Sequence, residues 1–218
     1  KLSILSGDTL TLGTSETITT YDFENAGTVT VTGNGVINTS HDWANTGTFT
    51  SGTSTVNLTG ADSSTQTLSG NTTFYNLSAT TTSNSAGRTI RYTAGTTTTV
   101  TGTWTMTGAT SKILTLESST SSAWSINPTI TNVSYITVSY STNTGLNFCA
   151  SNSTDGNNNT AWNITSNAKC STPTTQVSAT SDTTTTSTTY TLLDSMTTTP
   201  GAGDYMVHFS TSIKNSTE

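Results

Sequence analysis

The chain has 218 residues, of which 8% are charged and 30% hydrophobic, and its formal net charge is −6. Its six basic residues are scattered, which excludes the clustered positive charge that binds nucleic acid, and its apolar runs are too short to span a bilayer. Sixty threonines and 32 serines supply most of the polar character. Because threonine is β-branched and favours strands, this composition predicts an all-β protein of half-buried strands rather than a disordered chain.

Residues 1–146 consist of short runs in which polar and apolar residues alternate, separated by Gly, Asn and Ser. In RTIRYTAG the alternation turns Ile90 and Tyr92 inward, and in TGTWTMTG it turns Trp104 and Met106 inward, leaving the threonines outside. No apolar period of 3.6 residues persists beyond two turns, so we expect almost no helix.

The runs also repeat. NAGTVTVTGNG (25–35) and NTGTFTSGTST (45–55) align at an offset of about 20 residues, a period typical of solenoids. We therefore predict that residues 1–146 form a β-solenoid, specifically a right-handed parallel β-helix whose coils stack about 4.8 Å apart. Outward threonines suit such a stack because they favour strands and carry no charge to repel the next coil.

The composition changes at residue 147. Residues 147–170 are rich in asparagine and contain both cysteines, Cys149 and Cys170, which predicts a terminal cap closed by a disulfide. Two buried free thiols are the alternative. A disulfide would indicate an oxidising, extracellular setting.

The C-terminal part is predicted to contain two further segments. Residues 171–189 are low in complexity and predict an extended Thr/Ser linker. Residues 190–218 predict a β-hairpin that is too small for a core of its own and needs a partner. It is expected to be an assembly strand or the start of a sandwich module.

Three segments resemble the repetitive β-solenoid regions of large bacterial surface adhesins and phage fibre proteins: GNTTFYNLS (70–78), AGRTIRYTAGTTTTVTGTWTMTG (86–108) and FCASNSTDGNNNTAWNIT (148–165). The tail at 189–217 is similar to the opening of a β-sandwich module of phage tail fibres. The resemblance implies an extracellular, cell-surface or virion-surface location. It also implies a stalk, spacer or host-binding fibre that self-associates as a trimer or filament and contacts a surface glycan or protein receptor.

Some β-helices cleave polysaccharides, so an enzyme must be considered. Glycoside hydrolysis needs two carboxylates about 5–9.5 Å apart, and Asp22 and Glu24 are the best pair in the sequence. We interpret them as solvated outward residues, with Tyr21 and Phe23 in the core on the opposite face. His41 and His208 have no recognisable catalytic companions. We therefore predict a non-enzymatic protein without a cofactor.

Candidate binding and metal sites are weak. Trp104 and Trp124 would stack on sugars only if exposed, and we favour core positions for them. Arg88 and Arg91 are expected to project outward. Arg91 is a further binding candidate, and it could stack on an aromatic ring. The segment DGNNN (155–159) has one carboxylate, whereas a calcium-binding loop uses several. We therefore predict an asparagine-rich turn and no metal site.

Nine N-x-S/T sequons leave glycosylation open. A glycan-binding or glycan-cleaving, tailspike-like β-helix and a glycosylated subunit of a cell-surface filament are the alternatives to a structural and adhesive fibre protein. The sequon asparagines are Asn38, Asn57, Asn71, Asn76, Asn132, Asn152, Asn158, Asn163 and Asn215.

Overall fold

The structure, a computed structural model, describes residues 1–81 and 86–166. The linker at 171–189, the hairpin at 190–218, Cys170, His208 and Asn215 lie outside the described residues. The described part is entirely β and contains no helix, and so has no helical segment suited to crossing a membrane. Its strands, in chain order, are β1 (Leu2–Ile4), β2 (Thr9–Leu12), β3 (Thr17–Thr20), β4 (Phe23–Asn25), β5 (Thr28–Val31), β6 (Val36–Thr39), β7 (Trp43–Asn45), β8 (Thr48–Thr50), β9 (Thr55–Leu58), β10 (Thr65–Ser69), β11 (Thr72–Phe74), β12 (Asn76–Thr80), β13 (Arg88–Tyr92), β14 (Thr97–Thr107), β15 (Leu114–Ser118), β16 (Trp124–Ser134), β17 (Ile136–Val138), β18 (Ser141–Asn143), β19 (Cys149–Ala150), β20 (Thr154–Asp155) and β21 (Asn163–Ile164).

These strands form parallel stacks in which neighbours are one coil apart. The first sheet has eight strands in the order β1-β4-β7-β10-β13-β15-β17-β20. A second, of three strands, has the order β2-β5-β8, and a third runs β18-β16-β14-β12-β9-β6-β3. Every pairing between named strands in the described residues is parallel, as in a β-solenoid.

Two long strands, β14 and β16, lengthen the third sheet in the later coils. The first half of β14 pairs with β11 and its second half with β12. The pairing of β14 with β16 shifts register between Val100 and Thr103, which marks a bulge or irregularity in the ladder. Residues 147–166 continue the stack, because β20 joins the first sheet and β19 pairs with β21.

The core is an apolar spine inside the coils. Ile90, Tyr92, Trp104 and Met106 are all fully buried, as the alternation predicts. Aromatic rings of successive coils stack: the Phe23 and Trp43 ring centroids are 4.1 Å apart and 7° from parallel. Such stacking adds about 0.5–1.5 kcal/mol per pair beyond the area that is buried.

Buried asparagines form a ladder beside the aromatic rings. Asn25 Nδ2 donates to Asn45 Oδ1 at 2.9 Å, and Asn45 Nδ2 donates to Thr72 Oγ1 at 3.1 Å. Asn25 and Asn45 are the first residues of the two repeats found in the sequence, and they are in register. The repeat offset therefore corresponds to one coil.

Threonine ladders line the outside of the first sheet from β10 to β20. Five in-register rungs carry threonine at one outward position, Thr65, Thr89, Thr115, Thr137 and Thr154. The neighbouring outward column holds Thr67, Arg91 and Glu117. The exterior of this sheet from β10 to β20 is thus mostly hydroxylated, and an ion pair between Arg91 and Glu117 joins two adjacent coils.

Candidate functional site

Two stacked corners of the solenoid bring four polar and aromatic side chains together. Tyr21 and Asp22 lie in the turn between β3 and β4, and His41 and Asp42 lie one coil later, between β6 and β7. Backbone hydrogen bonds hold the turns together, from His41 N to Tyr21 O at 2.8 Å and from Phe23 N to Asp42 O at 2.9 Å. We call Tyr21, Asp22, His41 and Asp42 the corner cluster.

The carboxylates of the corner cluster converge on the imidazole. His41 Nδ1 is 2.7 Å from Asp22 Oδ1 and 3.7 Å from Asp42 Oδ2. Asp22 Oδ1 also accepts a hydrogen bond from Asp42 N at 3.2 Å. The other oxygen of Asp42, Oδ1, accepts from Thr67 N of β10 at 2.7 Å, so the following coil fixes this carboxylate.

These contacts favour the charged form of Asp22. The hydrogen bond with His41 is the main cause of its lowered pKa, partial burial opposes the effect, and the Asp42 N–H adds to it. The cluster stays open to solvent, since the side chains of Asp22, His41 and Asp42 are 22%, 38% and 41% exposed.

Tyr21 corrects one sequence expectation. It was predicted to lie in the core with Phe23, and Phe23 is fully buried, but Tyr21 is 58% exposed. Its ring instead stacks on His41, with centroids 4.7 Å apart and planes 7° from parallel. The reason is that Tyr21 lies in a corner between two strands. Inward and outward residues alternate within a strand, but not in a corner.

Asp22 and Glu24 make their hydrogen bonds to different side chains. Asp22 contacts His41, whereas Glu24 Oε1 is 2.7 Å from Lys1 Nζ. The hydrogen bond to Glu24 is the main cause of a raised Lys1 pKa. Glu24 lies in β4 and Asp22 in the turn before it, so each carboxylate makes its direct contact with a different side chain.

The aromatic binding candidates lie inside the protein. Trp104 and Trp124 are fully buried, so neither presents a ring face to a ligand. Arg88 was expected to project outward and is instead buried, because its guanidinium donates to Leu58 O and Gly60 O of the preceding coil. Arg91 is outward, as predicted. It forms an ion pair with Glu117 of the next coil, with Nε and Nη2 at 2.7 Å and 2.6 Å from Oε1.

The DGNNN segment makes a compact turn. Asp155 Oδ1 accepts hydrogen bonds from Asn157 N at 2.8 Å and from Asn159 Nδ2 at 2.6 Å. Its carboxylate is therefore used within the turn. Within residues 1–81 and 86–166, three members of the corner cluster, Asp22, His41 and Asp42, are the one group of His, Cys, Asp or Glu side chains close enough to share a metal ion.

The sequons differ in accessibility. Asn71, Asn132, Asn158 and Asn163 are exposed. Asn38, Asn57, Asn76 and Asn152 are half-buried, and Asn57 Nδ2 donates to Asn38 Oδ1 at 2.9 Å on the outside of the third sheet. Cys149 begins β19, and its predicted disulfide stays a prediction because Cys170 lies outside the described residues.

No protein-family model matches the chain, and neither a curated protein nor a solved structure matches it. Sequence reasoning missed the corner cluster because Asp22 and His41 are far apart along the chain. The signal was nevertheless present: their separation of 19 residues is close to the repeat offset. Residues separated by one coil become neighbours in a solenoid.

Proposed function

We propose that this chain is a non-enzymatic structural and adhesive element of an extracellular or virion-surface fibre, in which the solenoid acts as a stalk or presents a binding surface. The eight-stranded parallel sheet from β1 to β20 carries the proposal. At about 4.8 Å per rung it extends roughly 34 Å. Its hydroxylated exterior and fully buried aromatic spine suit a rod that spaces other elements apart.

Several finer features belong to the same proposal. We expect a right-handed coil, a Cys149–Cys170 disulfide that closes the last coil, and a C-terminal segment at 190–218 that supplies an assembly strand or opens a sandwich module. Unpaired strands in such a segment would associate with a neighbouring copy by strand addition, giving a trimer or filament.

Electron microscopy of the purified 218-residue chain tests the fibre proposal. We expect elongated trimers or filaments, and a chain truncated after Thr175 should lose this assembly while keeping its β-rich circular dichroism spectrum. Isolated compact monomers at all concentrations would argue against a fibre. Equal assembly of the truncated chain would remove the role assigned to residues 190–218.

A glycan-binding or glycan-cleaving β-helix is the second candidate, and the exposure of Tyr21 favours it. An exposed aromatic ring next to carboxylates offers both a stacking face and hydrogen-bond acceptors for a sugar. Glycan-array binding by wild type and Tyr21→Ala tests recognition, and polysaccharide turnover by an Asp22→Asn/Glu24→Gln double variant tests cleavage. If wild type binds no glycan and turns none over, this candidate fails.

A glycosylated filament subunit is the third candidate, supported by the four exposed sequon asparagines. Intact-mass measurement on protein from its native source tests it directly. Sugar mass on Asn71, Asn132, Asn158 or Asn163 would support this candidate, and an unmodified mass would exclude it.

A further inference from the structure

We propose that Asp22, His41 and Asp42 form a binding site for a zinc ion that links successive coils. These three side chains offer one imidazole nitrogen and two carboxylate oxygens, all within 4.8 Å of one another. The inference does not depend on the fibre proposal, because it rests on the geometry of the corner cluster alone.

The donor distances suit a small tetrahedral ion. Zinc–nitrogen and zinc–oxygen bonds of about 2.0–2.2 Å place neighbouring donors roughly 3.3–3.5 Å apart. His41 Nδ1 is 2.7 Å from Asp22 Oδ1 and 3.7 Å from Asp42 Oδ2, so the two contacts bracket the required separation. Side-chain shifts of a few tenths of an ångström to somewhat under an ångström would bring the donor atoms to this separation. A water molecule would be the fourth ligand.

The ligand chemistry selects zinc over harder cations. Imidazole together with carboxylate is a ligand set for Zn²⁺, whereas Ca²⁺ takes six to eight oxygen ligands and Mg²⁺ keeps most of its waters. Zinc binds a ring nitrogen that carries no proton, so the ion would take the place of the hydrogen bond between His41 Nδ1 and Asp22 Oδ1.

Contacts outside the three ligands hold them in place. The Thr67 N–H fixes Asp42 Oδ1 and leaves Oδ2 to face the imidazole, while stacking on Tyr21 orients the His41 ring. Outer contacts of this kind raise metal affinity by fixing ligand orientation. Partial exposure of all three ligands provides an entry path.

Such an ion would join two coils and, through Thr67, brace a third. Asp22 belongs to the corner before β4, His41 and Asp42 to the corner before β7, and Thr67 to β10. Zinc would therefore stabilise the N-terminal end of the solenoid against separation of its coils.

Titration of the metal-free 218-residue chain with ZnCl₂, followed by calorimetry and thermal unfolding, tests the proposal. We expect one zinc ion per chain and a saturable rise in Tm. His41→Gln should weaken binding by on the order of 100-fold or more, because loss of an outer-shell partner alone costs about 10–100-fold. Asp42→Asn should also weaken zinc binding. The asparagine retains an oxygen that can accept the hydrogen bond from Thr67 N–H.

Three controls separate this site from non-specific binding. Glu24→Gln removes a nearby carboxylate and His208→Gln removes the other histidine, and neither should change zinc affinity. CaCl₂ should not raise Tm. If His41→Gln fails to fold by circular dichroism, Asp42→Asn decides the question. The proposal would be overturned if the wild-type chain bound no zinc, or if His41→Gln (or Asp42→Asn, where His41→Gln does not fold) bound zinc as tightly as wild type. It would also be overturned if His208→Gln lost zinc binding, or if calcium raised Tm as much as zinc.

Discussion

Tyr92 and Trp124 stack face to face on successive coils, with ring centroids 3.7 Å apart and planes 4° from parallel. Both side chains are fully buried. The stack fixes the Tyr92 ring, and its hydroxyl lies in the core without a hydrogen-bond partner. Burial raises the Tyr92 pKa; the nearby Trp104 indole opposes this weakly but forms no hydrogen bond of normal geometry with the hydroxyl.

We predict that Tyr92→Phe leaves the free energy of unfolding unchanged or raises it by up to about 1–3 kcal/mol. The substitution keeps the ring stack and removes a buried polar group without a partner, whose desolvation costs that much. Urea unfolding measures the effect. Tyr92→Leu, which removes the stack as well, should be destabilising, and a clear loss of stability in Tyr92→Phe would show that the hydroxyl has a partner.

Arg88→Lys is expected to destabilise the protein by about 1–3 kcal/mol. The Arg88 side chain is buried and donates to Leu58 O, Gly60 O and Gln66 Oε1. Desolvation is the main cause of its lowered pKa. A lysine lacks the planar fork that reaches three acceptors, and the groups it leaves unpaired are buried.

Arg91→Lys is the matched control, because Arg91 pairs with Glu117 on the half-exposed surface three residues further on. Exposed ion pairs contribute under about 1 kcal/mol, so this variant should unfold close to wild type in the same urea titration. Equal losses in the two variants would contradict the distinction between the buried and the surface arginine.

The two asparagine ladders predict different costs for the same chemical change. Asn45→Ala removes a buried partner of Asn25 and of Thr72, and we expect a loss of about 1–3 kcal/mol. Asn57→Ala breaks an equivalent bond to Asn38 on the partly solvated exterior, where water replaces it, so the loss should stay below about 1 kcal/mol. Thermal and urea unfolding of both variants provide the comparison.

Gly70→Ala should be much more destabilising than Gly95→Ala. Both glycines have positive φ, +83° and +75°, so an alanine pays about 1–2 kcal/mol of backbone strain at either position. At Gly70 the added Cβ would also lie 1.8 Å from Asn45 O, whereas at Gly95 nothing lies within 4 Å. The difference in unfolding free energy between the two variants measures the cost of moving the two coils apart at Gly70. Similar unfolding free energies would mean that the coils move apart at little cost.

Much of the fold was predictable because strands and repeats leave simple signals. Alternation placed Ile90, Tyr92, Trp104 and Met106 in the core, and all four are buried. The repeat offset placed Asn25 over Asn45, which the strand register confirms. Parallel stacking followed from these two patterns, since a chain that repeats once per coil brings equivalent residues into register.

The side-chain partners were less predictable because they depend on corners and on coil length. Tyr21 was assigned to the core on alternation, but it lies in a corner and is exposed. The Arg91–Glu117 pair spans 26 residues and the Asn25–Asn45 pair spans 20. Since coils differ in length, a single repeat offset does not identify the partner of Arg91.

The parallel pairing of each coil with the next also bears on how the polypeptide acquires its structure. Each strand of the first sheet pairs with a strand that lies within a few tens of residues along the chain. An early strand of this sheet can therefore pair before distant parts of the chain have been synthesised. A nascent chain emerging from the ribosome or through an export channel can thus add coils in order, each using the previous coil as its template.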